Sequence, residues 1–224
     1  VLDSPILSNS QFKKFTVFFK NNHKVLDCTF NVQNNLRERL DQLSFEAEIA
    51  VREGCKHLIL SDKQLSEKKA AVPMILAFGA INSKLVNLGI RGFVSINVQT
   101  GEVLDTHSFA VLLGIGATTI NPYLAFDSIY QRYEKKLFGK FRYEECIQRY
   151  IKSVNNGLLK IMSKMGISVL SAYRGGCNFE TVGLSRAVVA EYFPGMISRI
   201  SGIGIFGIET KVKELHKKAF QKNV

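Results

Sequence analysis

The sequence predicts an α/β fold, a mainly parallel sheet of about five strands covered by helices, and three observations carry that prediction. Short apolar runs alternate with helical patterns over short connections, the order expected of parallel strands returned by crossover helices. Polar residues gather just after the apolar runs, at Asp27–Thr29, Ser61–Asp62, Thr100–Glu102, Asn121 and Tyr173–Arg174. The 224 residues are 46% hydrophobic and 22% charged, which supplies a sizeable core and argues against disorder. With no repeat and no low-complexity linker, residues 1–224 read as one domain.

The elements follow in order. An extended segment at Lys24–Phe30 precedes a helical pattern from about Asn34 to Arg52, with Leu36, Leu40, Leu43, Ala47 and Ala50 at core spacing and Gly54 as its cap. Lys56–Asp62 reads as a buried strand ending in Ser61 and Asp62. Pro73 suits the first turn of a helix that runs to about Leu88 and closes at Gly89. Arg91–Val98 is a strand with partial alternation, and Thr106–Leu113 a helix. After an apolar link at Thr118–Ile120, Asn121-Pro122 starts a helix reaching about Lys136. From Tyr143 to Met165 runs one long helical pattern, interrupted near Asn155–Gly157. Gly166 ends it, and Ile167–Leu170 is expected as the last strand, opening into a loop that carries Tyr173 and Arg174. Short helices near Phe179–Val182 and Arg186–Tyr192, a turn over Ser198–Gly207 and a final helix to about Phe220 complete the prediction.

Several function classes are excluded by what these residues lack. No apolar run reaches the roughly 20 residues of a membrane span. The start, Val1–Pro5, has neither a basic segment nor an apolar one, so no export signal is expected. Without an initiator Met, the chain reads as part of a longer one. Cys28, Cys55, Cys146 and Cys177 are far apart, the pattern of reduced thiols in a cytoplasmic protein; with the histidines equally scattered, no metal is expected. The formal net charge of +11 raises nucleic acid as a partner, but the basic residues fall in isolated pairs such as Lys13-Lys14 and Lys217-Lys218, the pattern of solvated helix faces. Gly114–Ala117 and Gly202–Gly207 lack the preceding strand and following acid of a dinucleotide fingerprint and read as tight turns. Ser61, Ser171 and Cys177 have no nucleophile signature around them. His107, beside Asp105, could serve as a base or simply bond locally, and Arg174 could clamp a carboxylate or pair between loops. No self-contained catalytic set emerges, and no catalytic or cofactor-binding residue is assigned.

A series of blocks, in order over nearly the full length, resembles the central domain of the glutamate synthase large subunit. They include Leu2–Leu7, Leu58–Asp62, Thr100–Glu102, Phe109–Ala117, Asn121–Ala125, Lys160–Ser168, Tyr173–Gly175, Phe179-Glu180, Gly183-Leu184 and Ser198–Ile200. The chain departs from the family pattern at Lys63, where Arg is usual, at Ser108, where histidine is usual, and at Gly176-Cys177. The resemblance implies a degenerate (β/α)-barrel-like domain connecting an amidotransferase domain to an FMN-binding barrel. The parent enzyme would make two glutamates from glutamine and 2-oxoglutarate, passing ammonia through an internal tunnel, with FMN and an iron–sulfur cluster held outside this segment. Its partners would be those two domains of the same chain, and a reductase subunit is compatible; the electron donor could be pyridine nucleotide or ferredoxin. On this reading Asp27, Ser61, Asp62, Thr100, Glu102 and Asn121 face the tunnel or an interface, while Tyr173 and Arg174 anchor a neighbouring domain. The alternative is a small flavin- or phosphate-binding enzyme on a partial barrel.

Overall fold

A computed structural model describes residues 2–221; Val1 and residues 222–224 lie outside the described range. The chain starts with an extended stretch in which Ile6 forms a parallel bridge to Ile120. Helix α1 (Asn9–Phe18) follows, opened by a capping box in which Ser8 and Gln11 satisfy each other's backbone N–H. Strand β1 (His23–Asp27), strand β2 (Thr29–Asn31) and helix α2 (Leu36–Arg52) lead to β3 (His57–Ser61) and β4 (Lys69–Ala71). Helix α3 (Met74–Asn87), β5 (Ser95–Gln99), α4 (Thr106–Gly114) and β6 (Thr119–Asn121) complete the central layer. Helices α5 (Tyr123–Glu134), α6 (Tyr143–Lys164) and α7 (Leu170–Tyr173) follow. Last come β7 (Glu180–Leu184), α8 (Arg186–Tyr192), β8 (Ile197–Ile203) and α9 (Ile205–Ala219).

The central sheet is parallel throughout, in the order β1-β3-β5-β6, with the Ile6 stretch as a fifth, rudimentary member beside β6. Sequential order is the arrangement of a (β/α) barrel, but among the described residues the Ile6 stretch does not pair back to β1, so the sheet stays open. The expected α/β class and parallel sheet are therefore present, in a barrel-like but unclosed form. Two smaller pairings flank it, β2 with β4 antiparallel and β7 with β8 parallel.

Alternation in the strands gives this sheet two unlike faces. Leu26, Leu58, Leu60, Ile96, Val98 and Ile120 fall on one face and are essentially inaccessible, joining Leu40, Leu43, Phe78, Ile81, Phe109 and Leu113 of α2, α3 and α4 in the main core. The opposite face reads Val25, Ile59, Asn97, Thr119 in one row and Asp27, Ser61, Gln99, Asn121 in the next. Helix α1 lies over it, packing Phe12 and Phe15 with Leu7 against Ile59.

Several expected elements take other forms. Ile167–Leu170 is no strand: with Gly166 left-handed at φ +69°, the Ile167 N–H turns back to the Met162 carbonyl at 2.9 Å, so the apolar run is spent closing α6. Val169 is exposed and Leu170 already begins α7, so Tyr173 and Arg174 follow a short helix. Helix α6 is continuous through Asn155–Gly157, because Gly157 serves close packing: a Cβ there would stand 2.5 Å from Thr106 Cγ2 of α4. Phe179–Val182 enters strand β7, and Ser198–Gly207, expected as a turn, is the end of β8 and the start of α9. Gly202 allows this, since its Cβ would collide with the Gly183 backbone across the β7–β8 pair. The apolar link Thr118–Ile120 contributes β6, and Arg91–Phe93 is a single 3-10 turn ahead of β5. No helix among the described residues is long and apolar enough to cross a membrane.

Candidate functional site

The carboxyl ends of β1, β3, β5 and β6 bring Asp27, Ser61, Gln99 and Asn121 into one register row. Ser61 Oγ donates to Gln99 Oε1 at 2.9 Å, and Gln99 Nε2 donates to Asn121 Oδ1 at 3.1 Å. Asn121 Nδ2 then donates to the Leu7 carbonyl at 2.9 Å and to Asn9 Oδ1 at 3.0 Å, tying the row to the start of α1. One row below, Thr119 Oγ1 donates to Asn97 Oδ1 at 2.8 Å and Asn97 Nδ2 to the Leu58 carbonyl at 3.2 Å. Asp27 at the row's end accepts from Thr29 Oγ1 at 2.8 Å and faces Lys69 Nζ at 3.3 Å. Apart from that ion pair, the row is built of uncharged donors and acceptors.

Asp62 and Glu102, just past the strand ends, are carboxylates with internal tasks; Asp62 is buried, whereas Glu102 is exposed as a residue but turns its carboxylate to the start of α3. Asp62 accepts from Thr100 Oγ1 at 2.6 Å and from the Gly101 N–H at 3.0 and 3.2 Å, fixing the β5–α4 connection. Glu102 Oε2 accepts from the Met74 N–H at 2.8 Å and so caps α3, whose own N-cap, Pro73, has no side-chain acceptor. Burial pushes both carboxyls up: Asp62 rises despite its hydrogen bonds, and Glu102 reaches about 7 through desolvation and the neighbouring Asp62 charge. Tyr123 stands beside them, its phenol pushed up by burial and then by the Asp62 charge. A Cβ on Gly101 would lie 3.1 Å from that hydroxyl, so the loop and the tyrosine are closely fitted.

Six of the eight expected residues thus meet at one edge: Asp27, Ser61, Asp62, Thr100, Glu102 and Asn121. Tyr173 and Arg174 do not. Tyr173 is fully buried, its hydroxyl donating to the Ala110 carbonyl of α4 at 3.2 Å. Gly175, just beyond Arg174, donates to the Gly114 carbonyl at the far end of α4, which puts Arg174 at the amino edge of the sheet. Sequence reasoning passed over Gln99, the centre of the row, and Tyr123. The alternation Ser95, Asn97, Gln99 against Ile96, Val98 is the signal that finds Gln99; nothing in the pattern singles out Tyr123.

His107 begins α4, where Asp105 is the cap: its carboxylate accepts from the Ser108 N–H at 2.8 Å. Cys28 is buried and its thiol strongly disfavours ionisation, chiefly through desolvation, while Cys55, Cys146 and Cys177 lie elsewhere. No group of three His, Cys, Asp or Glu side chains among the described residues converges as a metal site. These cysteines do not fit an iron–sulfur cluster.

These features define an open, barrel-like α/β domain whose polar residues line one sheet face and in which the carboxylates of Asp62 and Glu102 hold the loops past the strand ends. The chain belongs to the glutamate synthase central domain family, whose model matches residues 1–185, to just past β7. It is 49% identical over its whole length to the glutamate synthase [NADPH] large chain of Azospirillum brasilense, covering 15% of that protein. It is 38% identical over 98% of its length to the corresponding large chain of Bacillus subtilis, covering 14% of it. It is also 37% identical over 99% of its length to the chloroplastic ferredoxin-dependent glutamate synthase of rice, covering 15% of it. The chain spans about one seventh of the length of these relatives.

Proposed function

We propose that this chain is the connecting module of a longer glutamate synthase, holding an amidotransferase domain and an FMN-binding domain at fixed separation and giving part of the wall along which ammonia passes between them. The partners on this reading are those two domains of the same polypeptide, with a reductase subunit as a further one. FMN and an iron–sulfur cluster would be held by the parent outside these residues, and would supply the reducing electrons there.

The observation that supports this most is the hydrogen-bonded row Ser61–Gln99–Asn121 on the sheet face opposite α2, α3 and α4, at the edge tied to the start of α1. Ammonia must travel uncharged, since in open water at neutral pH it becomes ammonium and is lost. A wall of neutral amides and hydroxyls can exchange hydrogen bonds with ammonia without stabilising its cation as a carboxylate would. Asp27, the carboxylate at the end of the row, is paired with Lys69, while Asp62 and Glu102, just past the strand ends, are occupied by the Thr100 and Met74 regions and hold their protons more tightly than ordinary carboxylates.

Gln99→Leu in the full-length protein removes the central link at similar volume. The expected result is a roughly twofold or greater rise in glutamine hydrolysed per glutamate formed, with the rate from added ammonium unchanged. An unaltered ratio contradicts the role given to this row.

A further inference from the structure

The amino edge of the sheet carries a feature the connector role does not use. Arg174 lines a cavity of about 510 Å³ whose walls include Asp3, Ser4, Thr118, Asn155, Leu158 and Met162. Its Nε is buried without a hydrogen-bond partner, and the guanidinium enters no ion pair among the described residues. A half-sheltered guanidinium left in this way is costly unless something accepts from it. Nearby Arg91 is committed to Asn82 Oδ1 at 2.7 Å and to the Val94 and Gly116 carbonyls at 2.7 and 3.2 Å. Burial and then the Arg174 charge lower the Arg91 proton affinity, so two cations share this edge with no carboxylate bonded to either among the described residues.

The rest of the lining narrows what would relieve them. Ser4 Oγ donates to Asn155 Oδ1 at 3.0 Å, which leaves the Asn155 amide N–H groups as the free half of that side chain. Leu158 and Met162 form an apolar wall, and the volume falls in the range of small-molecule pockets. Asp3, exposed at the rim, would repel a second negative charge.

We propose that this cavity binds a small organic monocarboxylate, its carboxylate held in the fork of Arg174 and its apolar body resting on Leu158 and Met162. The site is independent of the ammonia wall, at the opposite edge of the sheet, so either reading can fail without the other.

The test is a ¹⁹F NMR titration of the full-length protein carrying these residues, with 4-fluorophenylacetate as probe and 2-(4-fluorophenyl)ethanol as its uncharged counterpart. Saturable binding of the acid and none of the alcohol is expected. Arg174→Gln should weaken the acid at least about 10-fold, the loss of a charge-assisted bidentate contact. Asp3→Asn should tighten it roughly twofold by removing the rim charge, a gain that misfolding cannot mimic. Equal affinity in Arg174→Gln, equal binding of the alcohol, or no saturable binding to the wild type overturns the proposal. The last would mean that Arg174 is already satisfied by a carboxylate from elsewhere in the polypeptide.

Discussion

Asp62→Ala is expected to destabilise the fold by about 3 kcal/mol, lowering Tm by roughly 6–12 °C for a domain of this size. The carboxylate is 2% exposed and accepts from Thr100 Oγ1 and the Gly101 N–H; Thr100 is itself inaccessible. Alanine leaves both donors without their partner, the inaccessible Thr100 hydroxyl with no route to water, and adds a small cavity beneath Tyr123. Removing a neighbouring negative charge should also lower the Glu102 pKa, because Asp62 is one cause of its rise. Thermal unfolding followed by circular dichroism checks the size of the effect; a loss below about 1 kcal/mol would mean the loop is held by other contacts.

The second large effect depends on pH. Glu102 has an ordinary carboxyl pKa of 4.5 when unfolded and about 7 when folded, so between those values the folded state binds more protons. Stability from this group is therefore full below about pH 4.5 and is lost as pH rises through 7, a change of about 1–2 kcal/mol for a residue whose surface is open to solvent screening. Asp62, raised in the same direction, steepens the lower part of the slope. Glu102→Gln keeps an acceptor for the Met74 N–H and removes the charge. It should match the wild type within about 0.5 kcal/mol at pH 5 and exceed it by about 1–2 kcal/mol at pH 8, once the exposure of the residue is allowed for. Urea unfolding at both pH values decides this, and parallel wild-type and variant curves would show that Glu102 stays charged at little cost.

Much of the architecture was legible because its hydrophobic periods are unambiguous. Leu36, Leu40, Leu43 and Ala47 keep helical spacing in α2, Arg186–Tyr192 is α8 as expected, and His57–Ser61 is a continuous apolar run with buried faces on both sides. The errors came where local pattern and tertiary role diverge. Ile167–Leu170 has strand composition but lies within reach of the open carbonyls at the end of α6, and capping took precedence. Gly157 and Gly202 looked like breakers, yet each permits a close approach that pattern alone cannot reveal. Helix α1 was passed over although Ser8 and Gln11 spell a capping box, a signal available in the sequence.

The candidate site divides along the same line. Residues at the ends of true strands came together, because parallel register aligns every carboxyl end at one edge. Tyr173 and Arg174 fell elsewhere because the strand assigned before them does not exist. That separation gave Arg174 its cavity and left the uncharged row intact. Lys63 places its ammonium 5.8 Å from the Tyr123 ring centre, a contact that Arg could also make.

The most direct measurement follows the nitrogen itself. The full-length protein is supplied with glutamine labelled with ¹⁵N at the amide, 2-oxoglutarate and excess unlabelled ammonium, and the label is read in the glutamate formed. The connector account predicts that the wild type retains nearly all the amide nitrogen and that Gln99→Leu loses a large part of it to dilution. Equal retention by the two proteins would contradict a role for this sheet face in carrying ammonia.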